Sequence, residues 1–186
     1  MKLANVTSVY RSVLIANTYR HWIVNKRTMV LDIGCGTGVV ADELRSLLKI
    51  EIEGCDIDKY LIRTIPFKKM KSFNILPYTN NIFNYSMFND VLHHTSYKNQ
   101  KALIMESLRV SKYTLVFELI PNRLGINLDF ILNKIHNPKM NIPHTYRTPE
   151  EWQLLFKKMN LNYAIQNVKP PWWYPFKHIA FKLSLK

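Results

Sequence analysis

Residues 30–40 read VLDIGCGTGVV, an apolar run that breaks into three glycines on alternate residues. Apart from Asp32 the run MVLDI is apolar, which marks a strand covered on both faces rather than one half exposed to water. Glycine supplies positive φ and lets a ligand approach the backbone, so 34–38 is a turn shaped around something bound. In VVADELRSLLK, which follows, Val40, Leu44, Leu47 and Leu48 fall at helical spacing. Strand, glycine turn and helix together open an α/β fold.

The turn also says what it does not hold. A dinucleotide fold places glycines as G-x-G-x-x-G, the third one opening room for helix–strand packing. Here they are Gly34, Gly36 and Gly38, and Val39 stands at the dinucleotide position. Asp32 lies two residues ahead of the first glycine, where a pyrophosphate would meet a like charge. A ligand carrying an ammonium group is attracted instead. Asp56 closes the second strand, IEIEGCD, 22 residues beyond Gly34. A carboxylate there accepts hydrogen bonds from ribose hydroxyls. Asp58 competes for that role, its alternative being a helix N-cap. An adenosine that ends in an amino acid rather than a diphosphate meets both conditions, which favours S-adenosylmethionine over NAD.

Strand-like and helix-like segments alternate along the chain, with no internal repeat and no low-complexity linker, so 1–186 reads as one α/β domain with a mainly parallel sheet. Residues 9–24 form an amphipathic helix within an N-terminal helical segment, 1–27. IDKYLIRTI is expected as a short helix, followed by a weak strand near Phe73 and Ile75. A fourth strand is expected at 85–88, then the helix YKNQKALIMESLRV and the fifth strand YTLVFELI. In TPEEWQLLFKKMN, Thr148 is an N-cap with Pro149 at the first helical position and Glu151 three residues after the cap. NYAIQNV and HIAFKLSL alternate as two antiparallel strands. Two stretches break the alternation: 121–147, with a helix at LGINLDFILNKI, and KPPWWYPFKH at 169–178. Long connections of this kind often carry binding groups.

Composition bounds the rest. At 186 residues and 47 % apolar the chain can bury a real core. Cys35 and Cys55 form no disulfide framework, which points to a reducing, cytoplasmic setting. No apolar run reaches the ~20 residues of a membrane span, and the first residues lack the unbroken apolar centre of a signal peptide. Lys and Arg outnumber Asp and Glu by 26 to 13, a net charge of +13. A basic surface suits nucleic acid, anionic lipid or acidic substrates. The competing explanation is a lysine-rich coding bias, since the densest cluster, FKKMK, is short.

VLDIGCGTG, GCDID, LPYTNNIFN and NDVLHH, in this order and spacing, resemble the class I S-adenosylmethionine-dependent methyltransferases, and within them the small branch called methyltransferase type 11. The resemblance implies a Rossmann-like three-layer sandwich whose seven-stranded, mostly parallel sheet carries an antiparallel last strand. It implies that Asp32, Gly34, Cys35, Gly36 and Gly38 line the methionine end of the cofactor. Asp56 would hold the ribose and Ile57 the adenine, with Asn89 and Val91 edging the methyl-transfer site. Members often carry an acidic residue for the adenine amine where this chain has Ser72 and Phe73, and the usual Phe-Asp of strand four is here Phe83-Asn84.

Methyl transfer from a sulfonium is a displacement on an already activated carbon, so alignment can supply much of the acceleration. A general base is needed only for a proton-bearing acceptor. Candidates beside the cofactor are Asp90, His93, His94 and Glu118; capping, packing or ion pairing are the structural alternatives. His144, Tyr146 and Arg147 could meet an anionic or aromatic acceptor, or form a hydrogen-bond cluster at the start of the last helix. The tryptophans of 169–178 could enter a lipid interface, stack on nucleic-acid bases, cover an apolar acceptor or fill a gap. These features fit a methyltransferase acting on a small-molecule or lipid-like acceptor, with peripheral membrane contact, and no metal is expected. The alternatives are an RNA methyltransferase and a non-catalytic cofactor-binding regulatory or assembly protein.

Overall fold

The computed structural model describes residues 2–136 and 143–186. Seven strands form one sheet in the order β3-β2-β1-β4-β5-β7-β6. Strands β1 (Met29–Ile33), β2 (Glu51–Asp56), β3 (Phe67–Lys69), β4 (Phe83–Asn89) and β5 (Ser111–Leu119) pair in parallel. The chain-last strand β7 (His178–Leu185) runs antiparallel between β5 and β6 (Leu161–Asn167).

Side chains alternate across this sheet and so divide the core in two. Leu31, Ile33, Phe88, Val116 and Phe181 face one side, under α3 (Tyr97–Val110) and α5 (Pro149–Lys158). Val30, Met87, Leu115, Phe117 and Ala180 face the other, under α1 (Lys2–Tyr19) and α2 (Val39–Leu48). Burial on both faces explains the uninterrupted apolar strands. The start of α5 follows its sequence signal: Glu151 N–H donates to Thr148 Oγ1, and Thr148 N–H donates back to the Glu151 carboxylate. Asn84, in place of the usual aspartate, accepts from Met29 N–H at 2.9 Å and ties β4 to the start of β1.

Three expectations need correction. The first helix ends at Tyr19 rather than running to 24. Residues 57–65 form no helix; Pro66 disfavours helix at the residue before it, and Ile62 N–H donates to Thr37 O instead. The third strand lies at Phe67–Lys69, not near Phe73 and Ile75, which are 51 % and 60 % exposed and border only an isolated Ser72–Ile75 bridge. The helix expected in 121–147 is α4, Arg123–His136; residues 137–142 of that insertion lie outside the described residues. Among the described residues no helix is long and apolar enough to cross a membrane.

Candidate active site

The carboxyl ends of β1, β2, β4 and β5 converge on one cavity of about 550 Å³. Its floor is the glycine turn. Gly34 and Cys35 donate their N–H groups to Cys55 O at 2.8 and 3.2 Å, fixing the turn against β2. The three glycines have positive φ but different duties. A Cβ on Gly34 would stand 2.6 Å from Val91 Cγ1, and one on Gly38 would stand 2.9 Å from Leu61 Cδ2. Those two permit close packing. A Cβ on Gly36 would meet nothing within 4 Å, so this side of its backbone is open to a ligand.

Asp56 closes the turn from the side. Its Oδ2 accepts from Gly36 N–H at 2.9 Å and its Oδ1 from Ile57 N–H at 2.7 Å. A carboxylate has about four acceptor positions, so each oxygen can still accept from a ribose hydroxyl. Burial raises the Asp56 pKa and the amides oppose the rise. Asp58 is no helix cap: it pairs with Lys69 at 3.0 Å and accepts from Tyr60.

Asp32 is buried at the end of β1. Asn89 Nδ2 donates to its Oδ1 at 3.1 Å, and Tyr19 OH donates to Asn89 Oδ1 at 3.0 Å. Burial pushes the Asp32 pKa up to about 7, helped by Asp56 and opposed by Asn89 and Arg11. The site therefore presents a carboxylate short of a cation, the complement of an ammonium group. With the open Gly36 backbone and the free Asp56 lone pairs, this donor and acceptor set fits the amino-acid and ribose parts of S-adenosylmethionine.

Beyond β4 the chain turns sharply at Asp90, whose φ is 58°. Asp90 Oδ2 accepts from Arg11 at 3.1 Å and from His178 Nε2 at 3.2 Å. Burial works against ionisation, but His178 and Arg11 hold this carboxyl well below the usual range. Its Oδ1 is buried with no hydrogen-bond partner among the described residues. A 3-10 turn, Leu92–His94, follows. Glu118 fixes it, accepting from Val91 and Leu92 N–H at 2.9 and 2.7 Å through Oε1, with Oε2 at 2.6 Å from His93 Nδ1. Burial lowers the His93 pKa, yet Glu118 and Asp129 outweigh it and raise it to about 10. His94 goes the other way, to about 3, through burial and the neighbouring His93 charge.

The structure brings most of the expected residues together and sets others apart. Asp32, Gly34, Cys35, Gly36, Asp56, Ile57, Phe73, Asn89, Asp90, Val91 and His94 line the cavity. Gly38, Ser72, His93 and Glu118 are not among its lining residues. Ser72 is half-buried and donates to Asn74, and His93 with Glu118 sits buried behind the wall. His144, Tyr146 and Arg147 also miss it. Arg147 donates to Gln100 Oε1 at 2.8 Å and lies over the rings of Tyr97 and Trp152, pinning α3 to α5. Tyr146 stacks on His93 and donates to Asp129; His144 is exposed beside Phe130.

Sequence reasoning singled out 121–147 and 169–178 without naming Asp129, Tyr174 and His178 within them, and it missed Arg11; all four line the cavity, and Tyr19 behind Asn89 was missed as well. Nothing local pairs Arg11 or His178 with Asp90; only the fold carries them to it from 79 and 88 residues away. Among the described residues two groups, His93–His94–Asp129 and Asp90–His93–Glu118, bring ligand-type atoms within 4.8 Å of one another. His93 is common to both, with the Glu118 carboxylate at 2.6 Å from its Nδ1 and the Asp129 carboxylate at 3.5 Å from its Nε2.

Comparison with curated proteins returns no match. Solved structures share the fold. PH0226 protein from Pyrococcus horikoshii OT3 superposes with a TM-score of 0.70 at 16 % identity, covering 95 % of this chain and 92 % of that one. Magnesium protoporphyrin IX methyltransferase from Synechocystis PCC 6803, solved with bound SAH, gives 0.66 at 14 % identity over 97 % and 85 %. YcgJ protein from Bacillus subtilis gives 0.64 at 16 % over 95 % and 99 %. The sequence pattern described as "Methyltransferase domain" matches residues 20–176. That match spans the glycine turn, Asp56, Asp90 and the approach to β7, so the chain belongs to this family and is a class I S-adenosylmethionine-dependent methyltransferase.

Proposed function

We propose that the chain methylates a small-molecule or lipid-like acceptor that enters between α4 and residues 169–178, in a reducing cytoplasm where its two free thiols are stable. The observation that carries this reading is the continuity of the cavity. It runs from Asp32 and the glycine turn to Asp129 and Leu132 on α4 and to Tyr174 and Phe176 on the loop before β7. The cofactor supplies a methyl group already activated on a sulfonium. Asp32 receives its ammonium, Asp56 and the Gly36 backbone receive its ribose and methionine portions, and Ile57 and Phe73 flank the adenine.

On the acceptor side the free Asp90 Oδ1 and the neutral His94 are the polar groups that orient the nucleophile. Neither has a pKa near 7, where a general base works best. The site is built for alignment, which can be worth ~10⁵ M in effective concentration, and suits a nucleophile that arrives without a tightly held proton. His93 and Glu118 act at one remove, as positioning residues for the 90–94 turn. A transfer assay with labelled methyl donor, run across small polar acceptors, lipid extracts and RNA, tests the reading. Label in an organic-soluble or small-molecule product is expected. Transfer to RNA alone, or tight donor binding with no transfer to any acceptor, overturns it.

A further inference from the structure

Helix α4 has two working faces. Its inner side gives Asp129, Leu132 and Asn133 to the cavity wall. Its outer side carries Leu124, Ile131 and Ile135, exposed by 60, 50 and 66 %. Spacings of seven and four residues put these three on one stripe. Arg123 and Lys134 flank the stripe on one edge of the helix. The other wall of the cavity comes from residues 169–178, through Tyr174 and Phe176. That loop turns Trp172 outward at 96 % exposure, between the exposed Lys169 and Lys177. Trp173, by contrast, packs its ring 4.8 Å from that of Tyr10.

We infer that the outer stripe of α4 and the Trp172 loop dock the protein onto an anionic phospholipid surface, so that the cavity opens at the headgroup level. An exposed aliphatic stripe with basic neighbours is the pattern of a helix lying in a membrane interface. A tryptophan between lysines favours the same depth. Charge selects the occupant: at +13 a second copy of this chain is repelled, whereas an anionic leaflet attracts it. Nucleic acid would use the charge but gains nothing from the aliphatic stripe, which offers no ring for bases to stack on. The docking rests on the surface alone; its link to the acceptor rests on the lipid-like reading above.

The experiment is co-sedimentation of the full chain with phosphatidylglycerol-containing and pure phosphatidylcholine vesicles, at low and high salt. Trp172→Ala and the double variant Ile131→Ser/Ile135→Ser are compared with the unaltered protein. S-adenosylhomocysteine affinity, measured in parallel, reports the cofactor half of the cavity, which neither variant touches. Expected are binding to the anionic vesicles only, weakened by salt, and a drop of about tenfold in partitioning for each variant, with cofactor affinity unchanged. Equal partitioning of all three proteins overturns the inference. So does a concentration-dependent dimer, by light scattering, that the same substitutions dissolve, or an RNA gel shift lost with Trp172 when vesicles are not bound. If vesicles are ignored while S-adenosylhomocysteine binding and methyl transfer persist, docking alone fails. If vesicles are bound but no cofactor is, the enzymatic reading fails instead.

Discussion

Asn89 Nδ2 donates to Asp32 Oδ1 at 3.1 Å, so the end of the fourth strand holds the carboxylate that ends the first. Tyr19 in turn holds Asn89, and its hydroxyl, with a pKa burial drives well upward, stays a donor. The carboxylate is thus fixed in place before any ligand arrives. It is also held in a setting that disfavours its charge.

Asp32 therefore costs stability. Its folded pKa of about 7 lies above the ordinary 3.8, so the native state binds more protons between those values. Stability is greatest below about pH 4 in this respect and is lost as pH rises to about 7. Asp32→Asn should raise the stability of the ligand-free protein at pH 8 by roughly 2–4 kcal/mol, and remove the pH dependence between 4 and 7. Denaturant titrations over that range check it.

The same carboxylate should couple cofactor binding to pH. An ammonium ligand needs Asp32 ionised, so S-adenosylhomocysteine affinity should rise from pH 6 to pH 8 by about tenfold, with uptake of the ligand releasing a proton. Calorimetry in buffers of different ionisation enthalpy measures both. In Asp32→Asn the affinity should be lower and the pH dependence gone.

Asp56 and Asp58 should behave oppositely on substitution. Asp56→Ala removes the acceptor of Gly36 and Ile57 N–H as well as the ribose partner, and should weaken cofactor binding by about 1–3 kcal/mol. Asp58→Ala breaks only exposed contacts with Lys69 and Tyr60 and should leave affinity within about 0.5 kcal/mol. Calorimetric titration of both variants with S-adenosylhomocysteine decides between them.

Adjacent histidines should titrate at opposite ends of the scale. His93, at about 10, contributes stability that is complete below its ordinary 6.5 and lost as pH rises through 10. His94, at about 3, is neutral at pH 7. Imidazole nitrogen NMR should show one protonated and one neutral ring at pH 7. Glu118→Gln should bring His93 down toward neutrality and, by breaking a buried pair, cost about 3–5 kcal/mol.

Arg147 should prove to be a brace. Arg147→Ala removes its bond to Gln100 and its contact with Tyr97 and Trp152, and should cost about 1–2 kcal/mol in unfolding free energy. The KM for the acceptor should not change, which steady-state kinetics of the variant would show.

The parts of the fold that were legible share one property: their causes are local. The glycine turn, the capping box at Thr148 and Glu151, and the alternation of β6 and β7 each show within a dozen residues. The segment 57–65 misled because Ile57, Leu61 and Ile65 match a helical spacing, yet tertiary contacts use it: Leu61 and Ile65 fill the space below Gly38 and beside Gly54. In the site, Asp32 and Asp56 were readable because a strand end fixes where they lie. Arg11 and His178 were not, since each meets Asp90 only after the sheet is assembled. Tyr146 and Arg147 carried the chemistry of a binding pair, and were claimed by Asp129 and Gln100 instead.

The reversed direction of β7 has an effect on what this architecture can become. His178 pairs with Leu119 at the ligand edge because β7 starts where β5 finishes. The β6–β7 hairpin therefore bends back over the reaction chamber, whereas a parallel strand would have left that connection beneath the sheet. Its ten intervening positions, 168–177, can lengthen, shorten or change chemistry without touching the glycine turn or Asp56. If the acceptor enters there as proposed, acceptor choice and donor choice belong to separate pieces of chain, free to drift apart.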